Sequence, residues 1–553
     1  MLRLAAFLVN LLASVAAPAQ APSPPPAPAP APAPLRPGAP SLVVVISVDQ
    51  LSADLFDEYR PHFTGGFARL SNGTAFRNGY QAHAGTETCP GHSTILTGSH
   101  PTHTGIIGNT WVDQSLSRSD KTVYCSEDER VAGSSTTNYT VSPLHLRART
   151  LGDLLKQRSP QSLNVAVAGK DRSAVMLGGH NVDQRWYWSG KGFTTDNKSA
   201  AVPATVTKAN AEIAKLIATA QPPLESPPLC QGKATPFAVS PRMSVGAGRF
   251  ARAAGDLRGY RASPQYDAAV LAVAAGLIQE MRLGSDGAPD VLSVGLSATD
   301  YVGHGLGSGG EEMCLQLLSL DRDLAGFFRV LDAQGVDYAV VLTADHGGMD
   351  IPERLRAKGV SSATRADPAL ETAEVGKVIA ARLQLRGPVL LGDLANDVWI
   401  DRALRPSERT RVEREAVALF KAHPQVEAVF TKRQIARIPL ATTAPDKWTI
   451  AERVRASFDQ VRSGDLYVVL KQYVSPIAEP GAGYVATHGS VWNYDRRLPI
   501  LFWRKGMRPN DRQDHVSTVN ILPTIAAQIG LALPAKMDGR CLDGIEGVAC
   551  PVR

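Results

Sequence analysis

A threonine and a set of potential metal ligands are the residues of this chain best suited to chemistry. Thr88 begins the sequence TCPGH, and the ligand types are carboxylates mixed with imidazoles. The candidates are Asp49, Asp300, His304, Asp345, His346 and His488. This mixture suits zinc better than calcium or magnesium, which prefer shells of oxygen alone. A hydroxyl held beside zinc can be activated as an alkoxide, and the combination indicates phosphoryl transfer.

The spacing of these residues bears on whether they form a site. Asp300 and His304 have i, i+4 spacing, so a helical turn would bring both side chains to one face. Pro90 suits a first helical position and would leave Thr88 at a helix N-terminus, where free N–H groups favour an anion. Taken singly, Thr88 could be only an N-cap, and any one Asp or His could be a turn residue or a core histidine. For the residues not to form a site, all of these separate interpretations would have to be true at once. We therefore favour an active site.

The segments that precede these residues have the pattern of buried strands. Ser41–Val48 is a continuous apolar and β-branched run, which is typical of a strand buried on both faces of a parallel sheet. Further strands are predicted at Asn164–Ala168, Asp290–Leu296 and Tyr338–Thr343, and helices at Ala268–Met281 and Glu311–Leu331. This alternation predicts an α/β fold, a sandwich with a central, mostly parallel sheet flanked by helices. Ligands bind at the carboxyl edge of such sheets. The residues that closely follow the predicted strands are Asp49, Lys170, Asp300 and Asp345.

The chain divides into an N-terminal leader and one large catalytic region. Residues 1–19 combine a basic residue, an apolar run and a small-residue cleavage site, which predicts a secretory signal peptide. Residues 20–40 are nearly all Pro and Ala and predict a disordered spacer. The predicted catalytic domain covers residues 41–553, with insertions near 112–144, 181–262 and 352–473. The first two insertions are expected to be irregular and the third to form a cap or subdomain. We expect an exported protein, periplasmic or secreted, without a transmembrane anchor.

The net charge limits the partners that we expect, and the cysteine content predicts disulfides. The formal net charge of +6 includes no long Lys/Arg block, so nucleic acid is not an expected partner. Six cysteines in an exported chain permit disulfides. We predict a Cys541–Cys550 bridge, which closes a short loop, and a Cys125–Cys230 bridge. Cys89 is predicted to pack as a buried thiol beside Thr88.

Together the motifs closely resemble those of the alkaline phosphatase superfamily, in particular its exported bacterial phosphatases with a threonine nucleophile. The matching motifs are Asp49, Thr88 in TxPGH, Asp300 with His304, Asp345-His346-Gly347 and Thr487-His488-Gly489. The resemblance implies two zinc ions, one held by Asp300, His304 and His488, and the other by Asp49, Asp345, His346 and the oxygen of Thr88. It leaves open an additional calcium ion. The family pattern has no place for His92, His100 and His103, which we interpret as structural.

Three further residues bear on the substrate class. Lys170 and Arg172 stand in the sequence GKDR, on a predicted extended exit from a strand that would point both side chains the same way. They are similar to the Lys/Arg pair of the monoesterase branch, and Asn109 resembles the family asparagine that donates to a remaining phosphoryl oxygen. Two cations favour a phosphomonoester, which has three non-bridging oxygens, over a diester. Surface ion pairs of Lys170 and Arg172 with Asp171 and its neighbours are the alternative interpretation, which the other motifs of the chain make the less favoured one.

We therefore expect a zinc-dependent alkaline phosphatase that hydrolyses phosphorylated small molecules, as monoesters, through a phosphothreonine intermediate; a monomer is favoured. A phosphodiesterase, nucleotide pyrophosphatase or phosphonate hydrolase on the same scaffold is the nearest alternative. A non-catalytic, zinc-stabilised phosphate-binding or adhesion module is a second one. The hydroxyl of Thr88 argues against that module, because a structural zinc site is normally closed by four protein ligands. A sulfatase is disfavoured, since Cys89 could take the nucleophile's place only in a shifted register.

Overall fold

The computed structural model describes residues 36–199 and 201–551. The predicted signal peptide and most of the predicted spacer lie outside these residues, so both stay predictions. Within the described ranges, no helix combines the length and the apolar character that a membrane crossing requires.

Helices and strands occur throughout the described residues. The strands are β1 (Leu42–Val48), β2 (Thr74–Tyr80), β3 (Thr110–Val112), β4 (Thr122–Tyr124), β5 (Asn164–Ala168), β6 (Gln184–Trp188), β7 (Phe193–Thr194), β8 (Phe237–Ser240), β9 (Met243–Val245), β10 (Asp290–Leu296), β11 (Tyr338–Thr343), β12 (Thr364–Arg365), β13 (Leu390–Leu391), β14 (Asn396–Ile400), β15 (Val426–Thr431), β16 (Leu466–Leu470), β17 (Val474–Ser475), β18 (Arg497–Arg504) and β19 (Asn510–Ser517). The helices are α1 (Ala53–Tyr59), α2 (Gly66–Ser71), α3 (Thr88–Ile95), α4 (Pro101–Thr104), α5 (Leu151–Arg158), α6 (Asp171–Gly178), α7 (Ala204–Ala218), α8 (Pro228–Gln231), α9 (Leu257–Arg261), α10 (Pro264–Met281), α11 (Ala298–Leu306), α12 (Glu311–Gln334), α13 (Pro352–Ala357), α14 (Thr372–Leu383), α15 (Pro406–Ala422), α16 (Lys432–Ile435), α17 (Ile450–Ser457), α18 (Asn493–Arg496) and α19 (Ile521–Ile529).

β1 lies at the centre of a nine-stranded sheet with the order β19-β2-β18-β11-β1-β10-β5-β6-β7. It pairs in parallel with β10 on one side and with β11 on the other, so that Ser47 lies opposite Gly295 and Thr343. β5 continues the parallel region beyond β10, whereas β18 pairs antiparallel with β11. The predicted α/β fold with a mostly parallel central sheet is confirmed.

The side chains of β1 alternate between two apolar cores. Val44 and Ile46 belong to one core, to which α10 and α12 also contribute. Val43 and Val45 belong to the other, together with residues of α5 and α19. Successive residues of a strand point to opposite faces, so an uninterrupted apolar run supplies both layers of a sandwich. This is why the strand shows no polar alternation.

The third predicted insertion contains a sheet and a core of its own. Its strands form a four-stranded sheet in the order β13-β14-β16-β15, and Val398, Val412 and Val468 pack in a separate cluster. The second predicted insertion is less irregular than expected, because β6 within it pairs in parallel with β5 and extends the central sheet. Trp186 and Trp188 of β6 accordingly lie in the main core.

Three disulfides connect the cysteines: Cys89–Cys125, Cys230–Cys314 and Cys541–Cys550. The predicted bridge between Cys541 and Cys550 is confirmed. The predicted Cys125–Cys230 bridge is wrong, and so is the prediction of a free thiol at Cys89. Spacing along the chain could not show that β4 ends beside α3, nor that α8 packs on α12 and so brings Cys230 to Cys314.

Candidate active site

The candidate ligands converge at the carboxyl edge of the central sheet. Asp49 directly follows β1, and its backbone N–H donates to the carbonyl oxygen of Leu296 in β10 at 2.9 Å. α11 begins just after β10 and carries Asp300 and His304 one turn apart. Asp345 follows β11, on the other side of β1. Three adjacent parallel strands therefore deliver three carboxylates to one place.

Thr88 is the first residue of α3 and is buried against these ligands. The helix begins two residues earlier than the expected start at Pro90, which stands in its first turn. Gly91 lies where α3 passes the sheet, and a Cβ at this position would collide with the carbonyl oxygen of Asp345. The glycine of TCPGH thus permits the close approach that places Thr88 beside the carboxylates.

The ligand atoms form two overlapping groups. Those of Asp49, Asp345 and His346 lie within 4.8 Å of one another, and so do those of Asp300, His346 and His488. His304 adjoins the second group, with Nε2 at 3.2 Å from Asp300 Oδ1, and His488 Nε2 lies 3.4 Å from the same oxygen. The structure thus brings all six predicted ligands together, and it places His346 within reach of both groups.

Backbone carbonyl groups orient the three histidines. The Nδ1 atoms of His304, His346 and His488 lie 2.8, 2.9 and 2.8 Å from the carbonyl oxygens of Ala486, Gly347 and Thr86. An Nδ1–H that donates to a carbonyl leaves the Nε2 lone pair free for a metal ion. Each imidazole is therefore held in the tautomer that metal binding requires.

Several buried polar atoms of the site have no hydrogen-bond partner among the described residues, namely Asp49 Oδ1, Asp300 Oδ1 and His346 Nε2. A buried carboxylate oxygen without a partner is costly, and neighbouring carboxylates repel one another. Burial, followed by the charges of Asp300 and Asp345, holds the pKa of Asp49 well above its ordinary value. Divalent cations would satisfy these atoms and relieve the repulsion. The residues therefore fit metal ions, and the carboxylate and imidazole donors suit zinc.

His92 lies against this site although it was interpreted as structural. Its Nδ1 is 2.9 Å from Asp345 Oδ2 and 2.9 Å from the carbonyl oxygen of Thr88. The imidazole thereby joins a candidate ligand to the first turn of α3. Its i+4 position relative to Thr88 is the sequence signal that could have indicated this role.

Lys170 and Arg172 approach Thr88 from the end of β5. Lys170 Nζ lies 3.5 Å and Arg172 Nη2 lies 3.3 Å from Thr88 Oγ1. Lys170 Nζ also lies 2.6 Å from Asp49 Oδ2 and 2.5 Å from Asp300 Oδ2. Burial opposes the charge of Lys170, but the carboxylates of Asp300 and Asp49 outweigh it and raise the pKa of the ammonium group. Lys170 is a buried cation of the site and not part of a surface ion pair.

The predicted extended exit from the strand is extended at Lys170 but not at Arg172. Lys170 is the extended cap of α6, and Arg172 lies in the first turn of this helix. Tyr124 and Tyr139 donate to the two carboxylate oxygens of Asp171, each at 2.8 Å. Arg172 Nη1 lies 3.4 Å from the hydroxyl of Tyr124. The first predicted insertion thus holds the start of α6 and, through it, the guanidinium.

Comparison with known proteins decides the family. The model of the family described as type I phosphodiesterase / nucleotide pyrophosphatase matches residues 43–491. The chain belongs to this family. Its membership places it in the alkaline phosphatase superfamily, as the motifs predicted.

Curated relatives of this family member span nearly its whole length. Alkaline phosphatase PhoK of Sphingomonas sp is 49% identical over 513 residues, which cover 92% of this chain and 92% of PhoK. Alkaline phosphatase PhoD of Zymomonas mobilis subsp. mobilis is 44% identical, over 93% of this chain and 90% of PhoD. The crystal structure of wild type alkaline phosphatase PafA has a TM-score of 0.80 at 25% identity, covering 92% of this chain and 99% of PafA. The chain is accordingly an enzyme of the alkaline phosphatase type.

A second PafA structure, with a TM-score of 0.79, carries substitutions at a threonine, an asparagine, a lysine and an arginine. The threonine and asparagine have the same separation along the chain as Thr88 and Asn109. The lysine and arginine have the same separation as Lys170 and Arg172. The four residue types therefore recur in both proteins at matching spacing.

An open cleft of about 1180 Å³ leads to the site of this phosphodiesterase-family member. Its lining includes Asn109, Arg172, His304 and His488, and from the third predicted insertion Trp399 and Tyr467. The second sheet thus forms part of one wall. A cleft of this size leaves room for leaving groups of varied shape.

Sequence reasoning missed the residues that support the site. They are Glu87, Tyr124 and Tyr139; His92 was named as structural but was not placed at the site. Glu87 and His92 stand close to Thr88 in the sequence, so their position offered a signal. Tyr124 and Tyr139 offered none, because only the folding of residues 112–144 against α6 brings them to Asp171.

Proposed function

We propose that this enzyme is an exported, zinc-dependent phosphomonoesterase in which Thr88 is the nucleophile. One observation carries the proposal: Thr88 Oγ1 lies at the first residue of a helix, within 3.5 Å of two cationic groups. One of these cations, Lys170, also contacts the candidate ligands Asp49 and Asp300. The positive end of the helix dipole and two cations together favour a dianionic phosphoryl group at this oxygen.

Two metal sites would complete the arrangement. Asp49, Asp345 and His346 would hold one zinc ion beside Thr88, and Asp300, His304 and His488 would hold the other. Zinc, when bound, supplies Lewis-acid chemistry that lowers the pKa of a nearby hydroxyl or water and neutralises charge on oxygen atoms.

The side chains of the protein then account for a two-step displacement. Thr88 Oγ loses its proton to water and attacks phosphorus, and the bond from phosphorus to the leaving oxygen breaks with its electron pair, which takes up a proton from water. Water then attacks the phosphothreonine, breaks its bond to Oγ and releases inorganic phosphate, and the Thr88 hydroxyl is restored. Lys170, Arg172 and Asn109 would each donate to phosphoryl oxygens and so stabilise the transferring group.

The two cations favour monoesters over diesters. A monoester offers three non-bridging oxygens and two negative charges, whereas a diester offers one charge and a second bulky group that would approach Lys170 and Arg172. A phosphodiesterase is the second candidate, because the matching family model carries that description and the cleft is wide.

The test is hydrolysis of p-nitrophenyl phosphate and bis-p-nitrophenyl phosphate by the mature protein supplied with zinc. We expect a strong monoester preference, which Thr88→Ala should lower by about 10⁴-fold or more. Thr88→Ser is the matched control, because it keeps a hydroxyl and should retain measurable turnover. Acid quenching followed by mass spectrometry should find phosphate on Thr88. A diester preference would assign the enzyme to the phosphodiesterases, and full activity of Thr88→Ala would refute the nucleophile.

Export rests on residues 1–19 and is tested separately. Determination of the N-terminus of the protein recovered outside the cytoplasm should place cleavage after Ala19. Recovery of the intact leader on the mature enzyme would contradict it.

A further inference from the structure

The two residues that flank Thr88 both bind Asn109. On one side, the Glu87 carboxylate accepts the backbone N–H of Asn109 at 2.7 Å. On the other side, the backbone N–H of Cys89 donates to Asn109 Oδ1 at 2.8 Å. The candidate nucleophile and the candidate amide donor are therefore joined through both chain neighbours of the nucleophile.

These contacts determine which end of the Asn109 amide is available. Because Oδ1 already accepts from Cys89, the Nδ2 group is the free end, and none of the described residues accepts a hydrogen bond from it. Asn109 lines the cleft together with Arg172. A third contact closes the arrangement, since Cys125 donates its N–H to the carbonyl oxygen of Asn109 at 2.9 Å and forms a disulfide with Cys89.

Glu87 occupies the capping position of α3 without capping the helix. A residue at this position normally turns its side chain to the free N–H groups of the first turn. The Glu87 side chain makes no such bond, because the N–H of Cys89 donates to Asn109 and Pro90 has no N–H. Its carboxylate instead accepts the half-buried N–H of Asn109, and loss of this acceptor would leave that N–H without its partner. The geometry of Glu87 is thus explained by Asn109 and not by helix stability.

We propose that Glu87 is a positioning residue, which holds the Asn109 amide at a fixed place relative to Thr88 so that Nδ2 donates to the phosphoryl group. This inference rests on the proposed function, because it assumes that Asn109 contacts the substrate. Glu87 itself acts only through Asn109. Asn109 is bonded to Glu87 and Cys89, the two chain neighbours of Thr88. A shift of Thr88 should therefore move the Asn109 amide in the same direction.

The test is a double-substitution cycle on the zinc-loaded, full-length mature enzyme. Asn109→Ala should lower kcat/KM for p-nitrophenyl phosphate by about 100-fold, as expected for loss of one donor to a transition state. Glu87→Ala should lower it by about tenfold, and Glu87→Gln should recover most of that loss because an amide oxygen still accepts the N–H. In the Asn109→Ala background, Glu87→Ala should have almost no further effect. Inhibition by inorganic phosphate should weaken in Glu87→Ala and Asn109→Ala alike.

Asp290→Ala is the matched control for this cycle. The Asp290 carboxylate accepts the backbone N–H groups of Leu163 and Gly284 at 2.6 and 2.7 Å, but it lies at the opposite end of β10 from the site. Its loss should lower thermal stability and leave phosphate inhibition unchanged. Should Glu87→Ala fold poorly, Glu87→Asp keeps the charge and withdraws the carboxylate by one methylene, and the same cycle applies.

The outcomes separate the inference from the proposed function. A Glu87→Ala loss that persists undiminished in the Asn109→Ala background would overturn the positioning role while leaving the phosphomonoesterase intact. Unchanged kinetics of Asn109→Ala would overturn the inference as well, because there would be no donor to position. Full activity of Thr88→Ala would instead refute the proposed function itself.

Discussion

The proposed metal-ligand half and the proposed phosphoryl-binding half of the site are built in different ways. Asp49, Asp300 and Asp345 stand at the ends of adjacent central strands or one turn beyond, so the main sheet fixes them. Arg172 and Asn109 are fixed by side chains, backbone contacts and a disulfide that involve residues near or within 112–144. The first half is inseparable from the fold, whereas the second depends on a few polar contacts. A change in one half should therefore impair that half and leave the structure of the other half intact.

Metal removal should have the largest effect, because it acts on activity and stability together. Chelation leaves Asp49 Oδ1 and Asp300 Oδ1 buried without a partner, so the apo protein should unfold at lower temperature. At free zinc about 100 times the Kd, binding adds about 2.7 kcal/mol per site to the free energy of unfolding. Thermal melts and activity assays before and after zinc is restored measure both effects. Activity that survives complete chelation would contradict the proposed metal sites.

Arg172→Ala should impair the phosphoryl-binding half and leave the metal-ligand half intact. We expect kcat/KM for the monoester to fall by about 100- to 1000-fold and that for the diester by much less, because only the monoester presents the additional charge. The melting temperature with zinc bound should stay close to that of the wild type. Arg172→Lys is the control and should recover only part of the activity, since a lysine cannot donate in a fork. Equal losses on both substrates would place Arg172 outside the phosphoryl-binding half.

The same division explains what the sequence could predict. The apolar run before Asp49 predicted a buried central strand, and the parallel sheet then placed the carboxylates at one edge. Lys170 was found because it follows a predicted strand, and its pairing with Arg172 through a family resemblance. The predicted extended backbone was wrong at Arg172, because α6 begins at Asp171. The Cys89–Cys125 bridge was missed because it depends on where an irregular segment folds. Strand patterns reveal the sheet, whereas contacts made by loops leave no periodic signal.

The Cys89–Cys125 bridge should matter for activity more than a disulfide elsewhere in the chain. Replacing both cysteines by serine should lower monoester kcat/KM by about tenfold, because the bridge holds β4 and Asn109 beside α3. The matched control replaces Cys541 and Cys550, whose bridge lies near the C-terminus. Each pair of substitutions should lower the free energy of unfolding by about 2–4 kcal/mol.

Kinetics and denaturation of both double variants show whether the Cys89–Cys125 bridge affects activity or stability alone. If the two variants lose equal activity, the bridge at Cys89 contributes only stability.

Substitution of the two tyrosines that donate to Asp171 should have the smallest effects on activity. The two variants also allow a comparison within the phosphoryl-binding half. Tyr124 and Tyr139 donate to Asp171 at the same distance of 2.8 Å, but only Tyr124 also lies within 3.4 Å of the Arg172 guanidinium. Tyr139→Phe should therefore lower the monoester kcat/KM by about twofold, and Tyr124→Phe should lower it by about fivefold or more. Each substitution removes one hydroxyl, but only the hydroxyl of Tyr124 contacts the Arg172 guanidinium. Both losses should vanish in the Arg172→Ala background, because the tyrosines would have no guanidinium left to position. Losses that remain there would mean that residues 112–144 support the enzyme through α6 packing and not through Arg172.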